Sequence, residues 1–346
     1  MPRNVFLHGM WRCGSTFVWS RFRGHDRTVC FYEPLHHGLS RLNPRRLRRA
    51  SADQAAELRH PRMERPYFDE YAPLLSGRGA QRFQRRFAFG GFVLPPSRPA
   101  PDLQHYLCGL IDVALAAGRT AVAGFNGSDL RIGWMKARFN ALQIALDRDP
   151  YALWCSYMDQ RRRGNFTFFM NWLRILEANR DDPILAPLAA HLRHRWPGGL
   201  YVKDKARYRA MIERLSADET YLIVCYFWMA YALHALSFCD VLADMDRLNE
   251  PGYRKALSLR IFAGCGLDID LAQAVTAPPA PAPLVNRQAV EWKARRLFPL
   301  RAMEPLLRLE RVRPRLGELA PRKAALLRLL LDMPVAANDE ALVRAA

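Results

Sequence analysis

The segment NVFLHGMWRCGSTFVW, residues 4–19, decides the fold of this chain. Its first four residues predict a β-strand, and residues 15–23 predict a helix that turns three apolar side chains inward: Phe17, Val18 and Phe22. A glycine-containing loop, GMWRCGST at 9–16, joins the two elements. Such a loop offers backbone N–H groups and the positive end of a helix dipole to an anion. The segment therefore predicts a phosphate-binding loop.

Strands and helices alternate along the rest of the chain. Strands are predicted at 28–32, 120–125, 142–146 and 240–243, and helices at 102–117, at 128–139 and from Pro150 onward, with Asp149 as N-cap. This alternation predicts an α/β fold with a central, mainly parallel sheet and helices on both faces. Residues 36–101 are basic and irregular, and we expect an insertion with short helices over the mouth of the sheet.

We expect one sheet-containing domain over residues 1–275, followed by a proline-rich linker and a basic helical tail over 276–346. The linker is the sequence APPAPAP at 277–283. Residues 221–239 contain no Asp, Glu, Lys or Arg and approach the length of a membrane span. Because tyrosines, a histidine, a serine and cysteines make this stretch weakly apolar, we interpret it as a buried core helix.

The composition indicates anionic partners. The 346 residues carry 52 Lys and Arg against 33 Asp and Glu, a net charge of +19, which favours nucleotides, acidic glycans, anionic lipid or nucleic acid. Half of the residues are hydrophobic, which excludes a disordered or collagen-like chain. The seven cysteines form no C-x-x-C pair, so we predict no zinc site, no disulfide framework and a cytoplasmic location.

The loop differs from the nucleoside-triphosphate-binding pattern G-x-x-x-x-G-K-[ST] at one position. Gly9, Gly14 and Thr16 match, but Ser15 replaces the lysine, and the cation is Arg12, inside the loop. The lysine of that pattern reaches the β- and γ-phosphates, so its replacement disfavours triphosphate hydrolysis. A kinase-like enzyme stays an alternative because a strand ends near Asp147, where such enzymes hold magnesium. A tight turn without a ligand is the other interpretation.

Two segments resemble sulfotransferases. RCGSTF at 12–17 resembles their 5′-phosphosulfate-binding loop, (K/R)-S-G-T-T followed by a large apolar residue, with Cys13 and Ser15 in place of Ser and Thr. LDRDP at 146–150 resembles their R-D-P element. The resemblance covers residues 3–275 and implies a three-layer P-loop-like fold that needs no metal. It also implies two phosphate contacts on 3′-phosphoadenosine 5′-phosphosulfate: the 5′-phosphosulfate by Arg12, Cys13, Gly14, Ser15, Thr16 and Phe17, and the 3′-phosphate by Arg148 and Ser156.

A third segment, YEPLH at 32–36, is similar to the E-P-x-H element of glycan-type sulfotransferases and implies that Glu33 is the catalytic base. Cytosolic small-molecule sulfotransferases take a histidine from the region that corresponds to GFNGS at 124–128, which has none. His36 stays the alternative base. The C-terminal R-K-G loop of many members is not recognisable here, and Arg161–Arg163 is the candidate replacement.

The resemblance implies sulfuryl transfer to a hydroxyl or amine, with Arg12 stabilising the charge of the transition state and Glu33 accepting the acceptor's proton. Both are expected at the carboxyl ends of adjacent strands. The basic insertion suggests an acidic glycan or glycolipid acceptor, and the charge is compatible with peripheral membrane association. A nucleic-acid partner is not expected because the basic clusters lack interleaved aromatic residues. A kinase and a non-catalytic, basic anion- or nucleic-acid-binding protein are the alternatives, and the sequence leaves the acceptor and the oligomeric state open.

Overall fold

The structure is a computed structural model that describes residues 3–47, 63–77, 79–193, 204–273 and 281–332. Its backbone contacts divide the chain into two compact units. The first unit comprises Met1–Ala88, Pro95–Asp147 and Phe238–Thr276, and the second comprises Phe89–Leu94, Arg148–Ser237 and Ala277–Ala346.

The first unit contains a five-stranded sheet in which every pair of neighbouring strands is parallel. The strands of the described residues are β1 (Asn4–Gly9), β2 (Thr28–Tyr32), β3 (Leu75–Ser76), β4 (Gly79–Ala80), β5 (Thr120–Asn126), β6 (Ala141–Asp147) and β7 (Val241–Asp244). The sheet order is β2-β5-β1-β6-β7, and β3 and β4 form a separate small antiparallel hairpin. The predicted α/β fold with a central parallel sheet is confirmed.

The register of the sheet brings the carboxyl ends of three strands together. Gly9, the last residue of β1, lies opposite Asn126 of β5 on one side and Leu146 of β6 on the other. The order also corrects one expectation, because β1 and β2 are not adjacent: β5 lies between them. A polar residue at the end of β5 therefore stands between the loop after β1 and the residue after β2.

Fourteen α-helices are described. They are α1 (Ser15–Arg23), α2 (Arg86–Phe89), α3 (Pro101–Ala116), α4 (Ile132–Arg138), α5 (Pro150–Arg162), α6 (Thr167–Ala178), α7 (Ala186–Leu192), α8 (Lys205–Arg214), α9 (Ala217–Phe238), α10 (Pro251–Cys265), α11 (Arg287–Leu297), α12 (Leu300–Met303), α13 (Leu309–Arg315) and α14 (Pro321–Leu331). The predicted bounds of α1 and β2 are confirmed. The helix predicted at 128–139 starts later, at Ile132, because Leu130 has a non-helical backbone within a short 3-10 turn at Asp129–Arg131.

The insertion at 36–101 contains short helices, as predicted, together with the β3–β4 hairpin, which the composition did not indicate. It contacts α1 through a buried ion pair, in which Arg23 Nε donates to Glu70 Oε1 over 2.7 Å. Residues 48–62 of the insertion and 277–280 of the proline-rich linker lie outside the described residues.

One described helix, α9, is long and apolar enough to cross a membrane, and all of its apolar window is buried. Its side chains interlock with those of other helices of the second unit: Phe227 stacks on Trp172 with ring centroids 4.1 Å apart, and Thr220 accepts from Trp154 Nε1. The interpretation of this stretch as a buried core helix is confirmed.

Candidate functional site

The loop between β1 and α1 turns on two left-handed residues, Arg12 with φ of 67° and Gly14 with φ of 97°. Gly14 is the N-cap of α1, and within the described residues no side chain caps this end of the helix. A tight turn of this kind directs successive N–H groups to one side, and the helix dipole adds partial positive charge there. A loop of this geometry can bind an anion.

Some backbone N–H groups of the loop already donate hydrogen bonds within the loop, which leaves fewer of them for an anion. The N–H of Cys13 donates to the carbonyl of Met10 over 3.2 Å, and that of Phe17 donates to Gly14 over 3.0 Å. The N–H groups of Gly14 and Ser15 make no hydrogen bond within the described part of the chain. Gly14 and Ser15 are therefore the backbone groups that this loop offers to an anion.

Cys13 has a packing contact that its small, polar side chain did not indicate. The Cys13 side chain is buried, and a Cβ added at Gly9 would lie 2.5 Å from its Sγ. A Cβ at Gly14 would likewise lie 2.8 Å from Cε of Met245. Gly9 is thus required for close approach, whereas Gly14 is favoured by its left-handed φ of 97°, and the thiol lies against the end of β1.

Thr16 and Tyr32 connect the start of α1 with the end of β2. Thr16 Oγ1 lies 3.2 Å from the hydroxyl of Tyr32. Burial raises the pKa of Tyr32 well above its ordinary value, the carboxylate of Glu33 raises it further, and the cation of Arg12 opposes both. Tyr32 is therefore a neutral hydroxyl within the electrostatic range of both charged candidate residues.

Glu33 follows β2 in a left-handed conformation, with φ of 42°, and is buried. Its N–H donates to the carbonyl of Gly124 over 2.9 Å, and its own carbonyl accepts from the N–H of His36 over 2.8 Å. Asn126 Nδ2 donates to Glu33 Oε1 over 2.8 Å. A left-handed non-glycine residue costs roughly 1–3 kcal/mol and persists only where its surroundings fix it, as these three bonds do.

His36 is less suited than Glu33 to accept a proton. Its Nδ1 accepts from the N–H of Gly38 over 3.2 Å, so the neutral ring carries its proton on Nε2 and has no lone pair left to offer. Burial lowers the pKa of His36, which the carboxylate of Glu33 opposes. The local hydrogen bonds thus favour Glu33 as the basic group at this edge.

Asn126 was not among the predicted site residues, because the resemblance points only to a histidine in the segment 124–128. A polar residue at the end of a strand, followed by glycine, was the available signal. The strand register explains its position: Tyr32 pairs with Gly124, so Asn126 lies beyond it, beside Glu33. Gly127, with φ of 71°, makes the turn, and a Cβ there would lie 2.8 Å from the ring of Trp11.

A buried series of hydrogen-bonded side chains holds the turn that follows Asn126. His8 Nδ1 lies 2.9 Å from Ser128 Oγ, and its Nε2 lies 2.7 Å from Gln143 Oε1. Burial lowers the pKa of His8 to about 4, so the ring is neutral at ordinary pH. Since Gln143 Oε1 can only accept, Nε2 carries the proton and Ser128 donates to Nδ1. These hydrogen bonds link β6 and β1 to Ser128, the residue that ends the turn after Asn126.

Aromatic residues of the insertion lie against the end of β2. The rings of Tyr67 and Phe68 lie 4.9 and 5.7 Å from that of Tyr32, and Tyr71 donates to the carbonyl of Tyr32 over 3.1 Å. The hydroxyl of Tyr106, on α3, donates to the carbonyl of Pro34 over 2.7 Å. The residues around Glu33 are therefore held by hydroxyl-to-carbonyl bonds on two sides.

Arg148 and Ser156 belong to the second unit. Arg148 precedes α5, and Ser156 lies in its second turn; both are half-buried. The predicted cap is confirmed, because Asp149 Oδ1 accepts from the N–H groups of Tyr151 and Ala152 over 2.9 and 3.1 Å. The role of Arg148 and Ser156 toward a 3′-phosphate stays a prediction.

The arginines 161–163 lie at the other end of α5 and have local contacts. Arg162 and Arg163 pair with Asp159, and Arg161 donates to the carbonyl of Glu213. Two arginines of the tail instead reach the start of α5: Arg287 lies 3.8 Å from Asp149, and Arg322 bonds both Asp149 and Glu291. The tail, rather than Arg161–Arg163, places cations beside Asp149.

Comparison with known proteins finds no matching family model, no matching curated protein and no matching solved structure. The functional interpretation rests on the residues of the site.

Proposed function

We propose that this protein has a P-loop-like fold and transfers a sulfuryl group from 3′-phosphoadenosine 5′-phosphosulfate to a hydroxyl or amine of an acceptor. One observation supports this proposal most. At one edge of the sheet, Asn126 of β5 lies between the loop after β1 and the buried carboxylate of Glu33 after β2. Ligands of open α/β sheets bind at the carboxyl ends of the strands, at the topological switch point, where connections from neighbouring strands run to opposite sides of the sheet. Here that point is β1, with β5 and β6 on its two sides.

In this proposal the loop binds the phosphosulfate. The N–H groups of Gly14 and Ser15 and the guanidinium of Arg12 face the group on which negative charge accumulates when the bond between sulfur and the 5′-phosphate oxygen breaks. Donors fixed in advance stabilise such charge without reorganising during the reaction. The hydroxyls of Thr16 and Tyr32 complete the polar surface at the start of α1.

Glu33 accepts the proton of the acceptor. As the acceptor oxygen or nitrogen forms its bond to sulfur, its proton passes to the Glu33 carboxylate, and 3′,5′-adenosine bisphosphate leaves. Asn126 holds Oε1, so Oε2 is the oxygen that takes the proton. Arg148 and Ser156 are proposed to bind the 3′-phosphate, because an arginine fork and a hydroxyl suit a phosphate group. The acceptor class that we propose is an acidic glycan or glycolipid, on the basis of the arginine-rich insertion, and the location that we propose is the cytoplasm, on the basis of the cysteine pattern.

A kinase-like transfer is the second candidate, and one observation favours it. Asp147 is fully buried at the carboxyl end of β6, the strand beside β1, and its register partner at the end of β7 is Asp244. An acidic residue at that position could hold a magnesium ion. The serine at position 15 opposes this candidate, because it removes the cation that reaches the terminal phosphates.

Thermal stability with different nucleotides separates the candidates. A ligand present at 100 times its dissociation constant stabilises a protein by about 2.7 kcal/mol. We expect 3′,5′-adenosine bisphosphate to raise the melting temperature more than 5′-AMP, ADP or ATP does, each measured with and without magnesium. Stabilisation by ADP or ATP with magnesium alone would contradict sulfuryl transfer and support the kinase. No response to any nucleotide would leave the non-catalytic, anion-binding alternative.

A further inference from the structure

The exposed face of α10 carries two large apolar side chains. Leu259 and Phe262 are one turn apart and are 60% and 53% exposed. Ala256 and Ala263 are exposed on the same arc of about 120°, given 100° per residue in a helix. The opposite side of α10 is the one that packs inward, with Leu257, Ile261 and Cys265 buried. Large apolar side chains that share one exposed helix face indicate an interaction surface.

The charges on α10 define the kind of partner. Its three ionic side chains are Arg254, Lys255 and Arg260, and it contains no acidic residue. Lys255 and Arg260 are exposed; at 100° per residue, Arg260 borders the arc on one side and Lys255 lies within it, between Leu259 and Phe262. The acidic residue before the helix, Glu250, pairs with Arg247 over 2.9 Å, and the next acidic residue, Asp268, lies beyond its C-terminal end.

We propose that this face of α10 binds the surface of a bilayer that contains anionic phospholipid. Leu259 and Phe262 enter the boundary between headgroups and acyl chains, while Lys255 and Arg260 contact lipid phosphates. Exposed apolar side chains with lysine and arginine beside them are the composition of a helix that lies in a membrane interface, where the long basic side chains extend to the headgroups. The net charge of +19 attracts the protein to such a surface over a longer range. Two inserted side chains give reversible binding, and the binding requires no nucleotide.

Co-sedimentation of the full chain with vesicles tests this proposal. We expect binding to phosphatidylcholine vesicles that contain about one-third phosphatidylserine, and much weaker binding to phosphatidylcholine alone. Leu259→Ser together with Phe262→Ser should lower the partition constant by about tenfold or more, because two apolar side chains no longer leave water. Lys255→Glu together with Arg260→Glu should lower it by at least about thirtyfold.

The matched control is Leu115→Ser. Leu115 is 53% exposed on α3, another helix of the first unit, and is the one large apolar side chain exposed in the described part of that helix. Leu115→Ser should bind the vesicles as the unchanged protein does. Binding that does not distinguish the two vesicle types, or that survives Leu259→Ser with Phe262→Ser, would overturn the proposal.

Two further measurements address other occupants of this face. If sedimentation velocity shows a dimer that the Leu259→Ser, Phe262→Ser protein no longer forms, a second copy covers the face and the lipid proposal is wrong. If the melting temperature of the Leu259→Ser, Phe262→Ser protein is well below that of Leu115→Ser, another part of this chain covers the face, and the proposal is again wrong. A monomer of unchanged melting temperature with lost vesicle binding is the result that we expect.

Discussion

The loops after β1 and β5 leave neighbouring parallel strands at the same edge of the sheet, but they contribute different chemical groups. The loop after β1 presents backbone N–H groups, because Arg12 and Gly14 are left-handed and no side chain caps α1 among the described residues. The turn after β5 acts through side chains: Asn126 bonds Glu33, and Ser128 bonds His8. A backbone site requires glycine at set positions and is therefore visible in a sequence, whereas a side-chain site depends on which strands become neighbours.

The largest effect is expected at Glu33, which both regions surround. Glu33→Gln keeps the shape of the side chain and its bond from Asn126 but removes its basicity. Loss of a general base costs about a hundredfold to ten-thousandfold in turnover. We expect turnover with a working acceptor to fall in this range while affinity for 3′,5′-adenosine bisphosphate stays nearly unchanged. His36→Ala is the matched comparison, and if it abolished transfer while Glu33→Gln stayed near normal, His36 would be the base.

Arg12→Ala tests the loop after β1. In the proposed reaction its cation stabilises charge that develops during transfer, so the substitution should lower turnover by about a hundredfold to a thousandfold and affect product binding little. Turnover is measured at saturating donor, and product affinity by calorimetry. A protein with ordinary turnover and weak donor binding would show that Arg12 only positions the donor.

Asn126→Ala tests the turn after β5. A hydrogen bond to a charged group contributes about 1.5–3 kcal/mol, so turnover should fall by roughly tenfold to a hundredfold. Because Asn126 acts through Glu33, adding Asn126→Ala to Glu33→Gln should have little further effect on turnover, and this non-additivity is the decisive measurement. Additive losses would mean that Asn126 acts independently of Glu33.

The two loops also show how far the sequence could predict this structure. The bounds of α1 and β2 follow from local patterns, and the Asp149 cap follows from an aspartate placed before Pro150. The position of Asn126 depends on β5 lying between β1 and β2, which no local pattern encodes. The contacts of Arg287 and Arg322 with Asp149 join residues more than a hundred positions apart, so the tail gave no local signal of its partner.

His8, which bonds Ser128 in the turn after β5, should make the free energy of unfolding depend on pH. Its folded pKa is about 4, below the ordinary 6.5, so the unfolded chain takes up a proton first as the pH falls. Stability contributed by neutral His8 is therefore complete above about pH 6.5 and decreases as the pH falls toward 4, by about 2 kcal/mol between roughly pH 7 and pH 5. Denaturant unfolding at the two pH values measures it. His8→Gln should reduce the slope, whereas His105→Gln, an exposed histidine on α3, should leave it unchanged; equal slopes in both proteins would contradict the assignment.

The smallest effect is expected from alanine substitutions at two glycines, one in the proposed phosphate-binding loop and one in a turn without a proposed ligand. Gly14 and Gly118 are both left-handed, with φ of 97° and 66°, but a Cβ at Gly14 would lie 2.8 Å from Met245 Cε, whereas Gly118 has open space around it. Alanine at either position should therefore lower the free energy of unfolding by about 1–2 kcal/mol, with some of the loss at Gly14 recovered in a Met245→Ala background.

Of these two substitutions, only Gly14→Ala should also weaken binding of 3′,5′-adenosine bisphosphate, because a Cβ on left-handed Gly14 displaces the backbone N–H groups that are proposed to hold the phosphate. Denaturant unfolding gives the stability of each variant, and calorimetry gives its affinity for the nucleotide. If Gly14→Ala combined with Met245→Ala binds the bisphosphate as tightly as Gly118→Ala does, the backbone of this loop does not hold the phosphate. The contrast between a backbone site after β1 and a side-chain site after β5 would then be wrong, and Arg12 would have to bind the phosphate through its side chain instead.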